Sequence, residues 1–193
     1  MSAIIGLRGE RIELQRPEET DVSLDTLAHG IANICRFQGH TRRFYSVAEH
    51  SVLAAVLSPP ESRALVLIHD LHEAIVGDVP SPLKPLLGEA FAALERSWES
   101  WVYERFLGHR LDDEERAAIK LADVRALALE RVIFGWKDVE WWTPIPAAAP
   151  RLHDDDWAKN ARDRLRTLAA VNGAPEAAKS VFLTCAHELG VLP

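Results

Sequence analysis

Ile68-His69-Asp70-Leu71-His72-Glu73 follows the apolar run Ala64-Leu65-Val66-Leu67 and precedes Gly77-Asp78-Val79-Pro80-Ser81-Pro82-Leu83-Lys84. A run such as Ala64 to Ile68 belongs in a core, where an ionised carboxylate is rarely found without a partner or a metal. The spacing predicts a helix from near Glu61 to about Val76, with Gly77 as its terminator. On such a helix His69 and Asp70 project about 100° apart, near enough to share one ion along an edge. Glu73 falls one turn after His69, on the same side. A buried His-Asp step with a second carboxylate one turn later is a candidate metal site.

Working outward, helical periodicity dominates the chain on both sides. Leu24, Leu27, Ile31 and Ile34 recur at helix spacing after Asp21 or Ser23 as a cap. Ser46-Val47-Ala48-Glu49 has the form of a capping box, so a helix runs from there to about Leu57, ahead of Pro59-Pro60. Pro80 and Pro82 force an extended loop. A helix then runs from about Glu89 to Phe106, with Phe91, Leu94, Trp98, Trp101, Val102 and Phe106 on its apolar side. Asp112 with Glu115 opens a longer helix through about Phe134, and two more follow, about Asp154 to Ala170 and Pro175 to Leu189. Only the opening, Ile4 to Leu14, alternates around glycines and fits a short hairpin. The expected fold is all-α, a single domain over residues 1–193. Its metal-site core spans about 21–135, and its C-terminal helices about 151–190.

Two further residues complete the candidate centre. His50 sits in the first turn of its helix, where the positive end of the dipole disfavours imidazolium and favours a neutral, metal-binding ring. Asp123 lies among Leu121, Ala122 and Val124 and asks for a partner, although a cap or a pair with Lys120 or Arg125 also satisfies it. His50, His69, Asp70 and Asp123 offer two imidazoles and two carboxylates from three helices. That mixed set suits Mn, Co, Zn, Ni or Fe as a divalent ion, with Mg kept in the panel, and leaves positions for water and substrate. The bland alternative for each histidine is a hydrogen-bonded core residue. The triplet Asp154-Asp155-Asp156 is better explained as helix capping.

The chain is 48% hydrophobic over 193 residues, enough for a sizeable core. Its two cysteines, Cys35 and Cys185, have no paired spacing, which argues against a disulfide framework or zinc knuckle and favours a cytoplasmic setting. A secretory leader and a membrane span are not expected. The net charge of -7 argues against nucleic-acid polymers, though a metal and a few basic side chains suffice for a small anion.

His50 within Tyr45-Ser46-Val47-Ala48-Glu49-His50-Ser51, His69-Asp70, Glu73, Gly77-Asp78 with Pro80, Pro82 and Lys84, and Lys120-Leu121-Ala122-Asp123 together resemble the HD-domain phosphohydrolases. The likeness spans roughly Asp21 to Glu130. It lies nearest the bacterial 5'-deoxynucleotidases and the phage-type deoxynucleoside triphosphohydrolases, including the dATP hydrolases. Arg36-Phe37-Gln38-Gly39-His40-Thr41 is more similar to the phage type. Phe37 stands where the nucleotidases carry tryptophan, so mono- and triphosphate substrates both stay open.

The resemblance implies an HD-domain helical bundle holding one divalent ion that engages a phosphate oxygen and a water. It implies hydrolysis of the 5' phosphate ester of a (deoxy)nucleotide. It assigns Glu73 to accept a proton or orient the water, and Asp78 to contact water or a substrate hydroxyl. Arg36, Arg42 and Lys84 are candidate phosphate contacts, with Arg43 a further one. Phe37 is a base-stacking or core residue, and His40 contacts phosphate or shapes its loop. The HD-type di-iron oxygenases need two further histidines between the His-Asp pair and the last aspartate. Only His72 and His109 lie there, and neither is well placed, which favours a mononuclear hydrolytic site. Rival readings are a cyclic or linear dinucleotide phosphodiesterase and a non-catalytic, metal-dependent nucleotide sensor. Trp136, Trp141 and Trp142 suit a subunit contact, in keeping with a homo-oligomer.

Overall fold

The computed structural model describes residues 2–136 and 174–191. It opens with a hairpin of β1 (Ala3–Ile5) and β2 (Arg11–Glu13), antiparallel, with Ile4 opposite Ile12. The other described elements are helical: α1 (Leu24–Asn33), α2 (Val47–Val56), α3 (Arg63–Leu67), α4 (Glu73–Val76), α5 (Lys84–Leu107), α6 (Asp113–Ile133) and α7 (Pro175–Glu188), with short 3-10 turns between them. The class is all-α. No helix among the described residues is long and apolar enough to cross a membrane.

Local sequence accounts for most of these boundaries. The Ser23 hydroxyl accepts the Thr26 amide at 3.2 Å to start α1. At α2, Ser46 Oγ accepts from Glu49 N at 3.1 Å while Glu49 Oε2 accepts from Ser46 N at 3.0 Å. Asp112 and Glu115 repeat this reciprocal arrangement at α6. Each box satisfies amides that a helix start otherwise leaves without partners.

Helix α2 is the axis of the molecule. Every residue from Val47 to Ala55 is buried, and α1, α3, α6 and α7 all pack against it. A helix surrounded on all sides needs no polar face, and its few ionisable groups must find partners inside. The core around it includes Leu27, Ile31, Leu53, Leu67, Ile68, Leu71, Trp98, Phe106 and Phe182.

The helix expected from Glu61 to Val76 is not continuous. It breaks into α3 and α4 across Ile68–His72, the segment that carries His69 and Asp70. The backbone there tightens to spacing of three, with His69 N to Val66 O at 3.4 Å, Leu71 N to Ile68 O at 3.0 Å and Glu73 N to Asp70 O at 3.0 Å. Side chains supply the reason. His69 Nδ1 lies 2.7 Å from Val66 O and His72 Nδ1 3.1 Å from His69 O, so the rings take carbonyls that an α-helical ladder would use. A second departure concerns α5, which begins at Lys84, five residues before the expected Glu89. Its first turn is set off by Gly88, whose φ of 76° breaks the helical path. The expected Asp154 to Ala170 helix, the aspartate triplet, Trp141 and Trp142 lie outside the described residues.

Gly30 allows α1 and α4 to touch. A Cβ on Gly30 meets the Ala74 Cβ at 2.8 Å, with the Ala74 Cα at 3.2 Å behind it. The helix carrying Glu73 is thus set directly against α1. Gly30→Ala is expected to lower stability by about 1–3 kcal/mol, the usual range for overpacking, net of the small helix-propensity gain. Urea unfolding of the two proteins checks this; an unchanged midpoint shows that the contact relaxes freely.

Candidate metal centre

Three elements bring the four expected ligands together. His50 is held by α2, fully buried, with its Nε2 at 3.5 Å from both Asp70 Oδ2 and Asp123 Oδ1. His69, in the turn between α3 and α4, points Nε2 at Asp70 Oδ2, 3.1 Å away. Asp123 comes from α6; its second oxygen takes the Lys120 ammonium at 3.1 Å, one of the alternative partners its sequence neighbours offer. His50, His69 and Asp123 each offer a ligand atom within 4.8 Å of the others. Asp70 Oδ2 lies against both rings.

The donor chemistry fits a divalent cation. A carbonyl and a carboxylate only accept, so the Nδ1 protons of His69 and His50 are committed to Val66 O and to Glu130 Oε1, the latter at 2.7 Å. Both Nε2 atoms are left as buried polar atoms without a hydrogen-bond partner. Buried imidazole nitrogens in this condition are costly unless something else engages them. Donors bonded to one ion at 2.0–2.2 Å stand roughly 3–3.5 Å apart, and the His50–Asp70, His50–Asp123 and His69–Asp70 separations of 3.5, 3.5 and 3.1 Å fall in that range.

Electrostatics around the centre are dominated by burial and crowded carboxylates. Burial and the Arg36 charge act to expel the His50 proton, but Glu130 and Asp123 outweigh them and raise its pKa to about 9. The expectation of a neutral ring set by the helix dipole is therefore reversed among the protein groups alone, because whole carboxylate charges exceed a partial one. Asp70 resists burial and is held well below the usual range by His69, His50 and Arg36. Asp123 is also lowered against burial, chiefly by His50.

Glu73 and Asp78 behave oppositely. Glu73 is 4% exposed, and burial followed by the charges of Asp70 and Asp78 pushes its pKa well above the ordinary value. Its Oε2 has no hydrogen-bond partner. Burial also raises Asp78, against the pull of Arg36. Lys84 Nζ pairs with Glu95 at 2.6 Å, and His72 Nε2 lies 3.8 Å from the same oxygen. His109 pairs with exposed Glu115 at 2.9 Å. Both extra histidines are thus engaged elsewhere.

Arg36 does not reach into solvent. Its guanidinium lies 3.5 Å from Asp70 Oδ2 and 3.5 Å from Glu130 Oε2. The loop beyond it carries left-handed backbone at Phe37 (φ 55°) and Gln38 (φ 53°), two non-glycine residues that each cost about 1–3 kcal/mol there. Gln38 Nε2 donates to Asp78 O at 3.1 Å, tying this loop to the Asp78 segment. The Phe37 ring packs edge-on against Trp136 and Phe134, with centroids 4.8 and 6.1 Å away, so aromatic packing already occupies part of it. His40 and Arg42 are exposed on the same loop, and Arg43 pairs with Glu49 at 2.8 Å.

Glu130 has no counterpart among the expected site residues, although it is wholly buried against His50. A signal existed: it lies seven residues after Asp123, two turns along the same face of α6, in line with buried Ala126 and Leu129.

No family model matches the chain. YfdR of Escherichia coli strain K12, described as an uncharacterized protein, is 34% identical over 150 residues, covering 78% of this chain and 82% of YfdR. RCAP_rcc00048 of Rhodobacter capsulatus, also described as uncharacterized, is 33% identical over 145 residues, covering 69% of this chain and 74% of its own length.

Metal-stripped protein titrated with Co²⁺ is expected to take up one equivalent, and His69→Ala or Asp70→Ala to bring metal content to background. Elemental analysis after gel filtration checks both. Retention of a full equivalent by either variant removes that residue from the ligand set.

Proposed function

This chain belongs to the family of the Escherichia coli protein YfdR, and we propose that it is a metal-dependent phosphohydrolase of the HD-domain type. Its substrate in this reading is a nucleotide, cleaved at the 5' phosphate ester of a deoxynucleoside mono- or triphosphate. The supporting observation is the pair of buried, unbonded Nε2 atoms of His50 and His69 facing the carboxylates of Asp70 and Asp123. Two imidazole nitrogens and two carboxylates brought together from three elements make a donor set that suits a divalent ion.

His50, His69, Asp70 and Asp123 would hold a divalent cation, whose chemistry when bound would be to polarise a phosphoryl oxygen and lower the pKa of water. The protein's own groups do the rest. Glu73, buried and raised in proton affinity by burial, Asp70 and Asp78, accepts the proton of the attacking water. Asp78, whose backbone is anchored by Gln38, orients that water or a sugar hydroxyl. Lys84 and Arg42 supply positive charge toward the phosphate, Lys84 by sharing its ammonium between Glu95 and the substrate. Arg36, placed between Asp70 and Glu130, offsets the negative charge of the centre, and contacts phosphate only by loosening those pairs. The small-molecule substrate fits the acidic net charge, since local cations rather than a basic surface hold it.

Metal-loaded protein incubated with deoxynucleoside mono- and triphosphates and with dinucleotides is expected to release phosphate or triphosphate, resolved by chromatography. Cleavage of dinucleotides alone moves the reading to a phosphodiesterase, and absence of turnover with every metal supports a sensor. Glu73→Gln is expected to keep its metal and lose about 10²–10⁴ in rate, the range for a positioned general base. A variant at wild-type rate removes Glu73 from that role.

A further inference from the structure

Residues 36 and 45 face each other across the neck of the loop between α1 and α2. Arg36 N donates to Tyr45 O at 2.9 Å, and Cys35 and Ser46 form a bridge immediately below. From this neck both side chains turn inward to the same carboxylate. Tyr45 donates its hydroxyl to Glu130 Oε1 at 2.9 Å, and the Arg36 guanidinium lies 3.5 Å from Glu130 Oε2. Glu130 has no solvent exposure and spends its Oε1 on two donors, Tyr45 and the His50 Nδ1 proton.

Such an arrangement is more than core packing. A buried carboxylate is expensive, and one apolar residue on α6 would fill the space without the cost. What Glu130 adds is direction. By accepting from Nδ1 it commits the His50 proton to that nitrogen and fixes the ring plane, which leaves Nε2 aimed at Asp70 and Asp123. We infer that Glu130 is a positioning residue for the candidate metal centre, orienting His50 from behind while Tyr45 and Arg36 hold it in place. This inference rests on the metal reading above and goes beyond it in naming the group that sets the ligand's tautomer and angle.

The test measures metal binding directly. Co²⁺ affinity by chelator competition and the visible absorption of the Co²⁺ protein are compared for wild type, Glu130→Gln and Tyr45→Phe, with thermal unfolding of the metal-stripped proteins alongside. Glu130→Gln is expected to bind about 10- to 100-fold more weakly with an altered cobalt band, the range for losing the partner behind a metal-bound histidine. Tyr45→Phe, which keeps the carboxylate and removes one donor to it, is expected to shift the band in the same sense with a smaller loss of affinity. Variants that unfold at lower temperature yet show wild-type affinity and spectrum make Glu130 a packing residue and overturn the inference. Should Glu130→Gln fail to fold, Tyr45→Phe with unaltered affinity and band overturns it alone. A wild-type protein that takes up no cobalt overturns the metal reading itself, which separates the two failures.

Discussion

Carboxylates gathered in a low-dielectric interior repel one another, and this fold gathers several around two imidazoles. Asp70, Asp123 and Glu130 ring His50, while Asp70 and Asp78 press on Glu73. Each alone carries the desolvation cost of a buried charge, and together they add mutual repulsion. The protein's answer is unequal distribution. Arg36 bridges Asp70 and Glu130, Lys120 takes one side of Asp123, and burial with the charges of Asp70 and Asp78 raises the proton affinity of Glu73. The two ring nitrogens without a hydrogen-bond partner lie at this point, in a group of side chains able to hold a metal ion. The cost of the electrostatics and the capacity for metal chemistry are two aspects of one arrangement.

Helix α2 makes that arrangement rigid. Because four other helices pack around it, His50 cannot escape to solvent by a small rotation. Its start is set by the Ser46–Glu49 box, and Arg43 engages Glu49 in turn. A local capping motif thus fixes the height at which an imidazole enters the core. Opposite it, the turn from Ile68 to His72 sacrifices helical hydrogen bonds so that His69 can commit Nδ1 to a carbonyl and free Nε2. One imidazole is placed by regular structure and the other by its interruption.

These differences also explain what could be read from the residues alone. Both capping boxes, the hairpin and the α1, α6 and α7 helices are encoded by neighbours within four positions, and local spacing found them. His50, His69, Asp70 and Asp123 stood out by type, being ionisable groups in apolar surroundings. The break at Ile68–His72 did not, since Leu67, Ile68 and Leu71 keep helical periodicity while the competing ring-to-carbonyl bonds leave no mark on it. Arg36 looked like a free cation because its two carboxylate partners lie far along the chain. Glu130 drew no reading from the sequence, and only its seven-residue offset from Asp123 marks the shared face.

The unbroken hydrogen-bond ladder of the central helix also carries a constraint on descent. Adding or deleting one residue between Ser46 and His50 swings the imidazole by about 100° and shifts it about 1.5 Å along the axis. A length change in this interval or in the Asp123-to-Glu130 stretch would therefore displace a side chain of the centre. Exposed joints such as Gly108–Arg110 carry no such constraint, because an extra residue there disturbs no register.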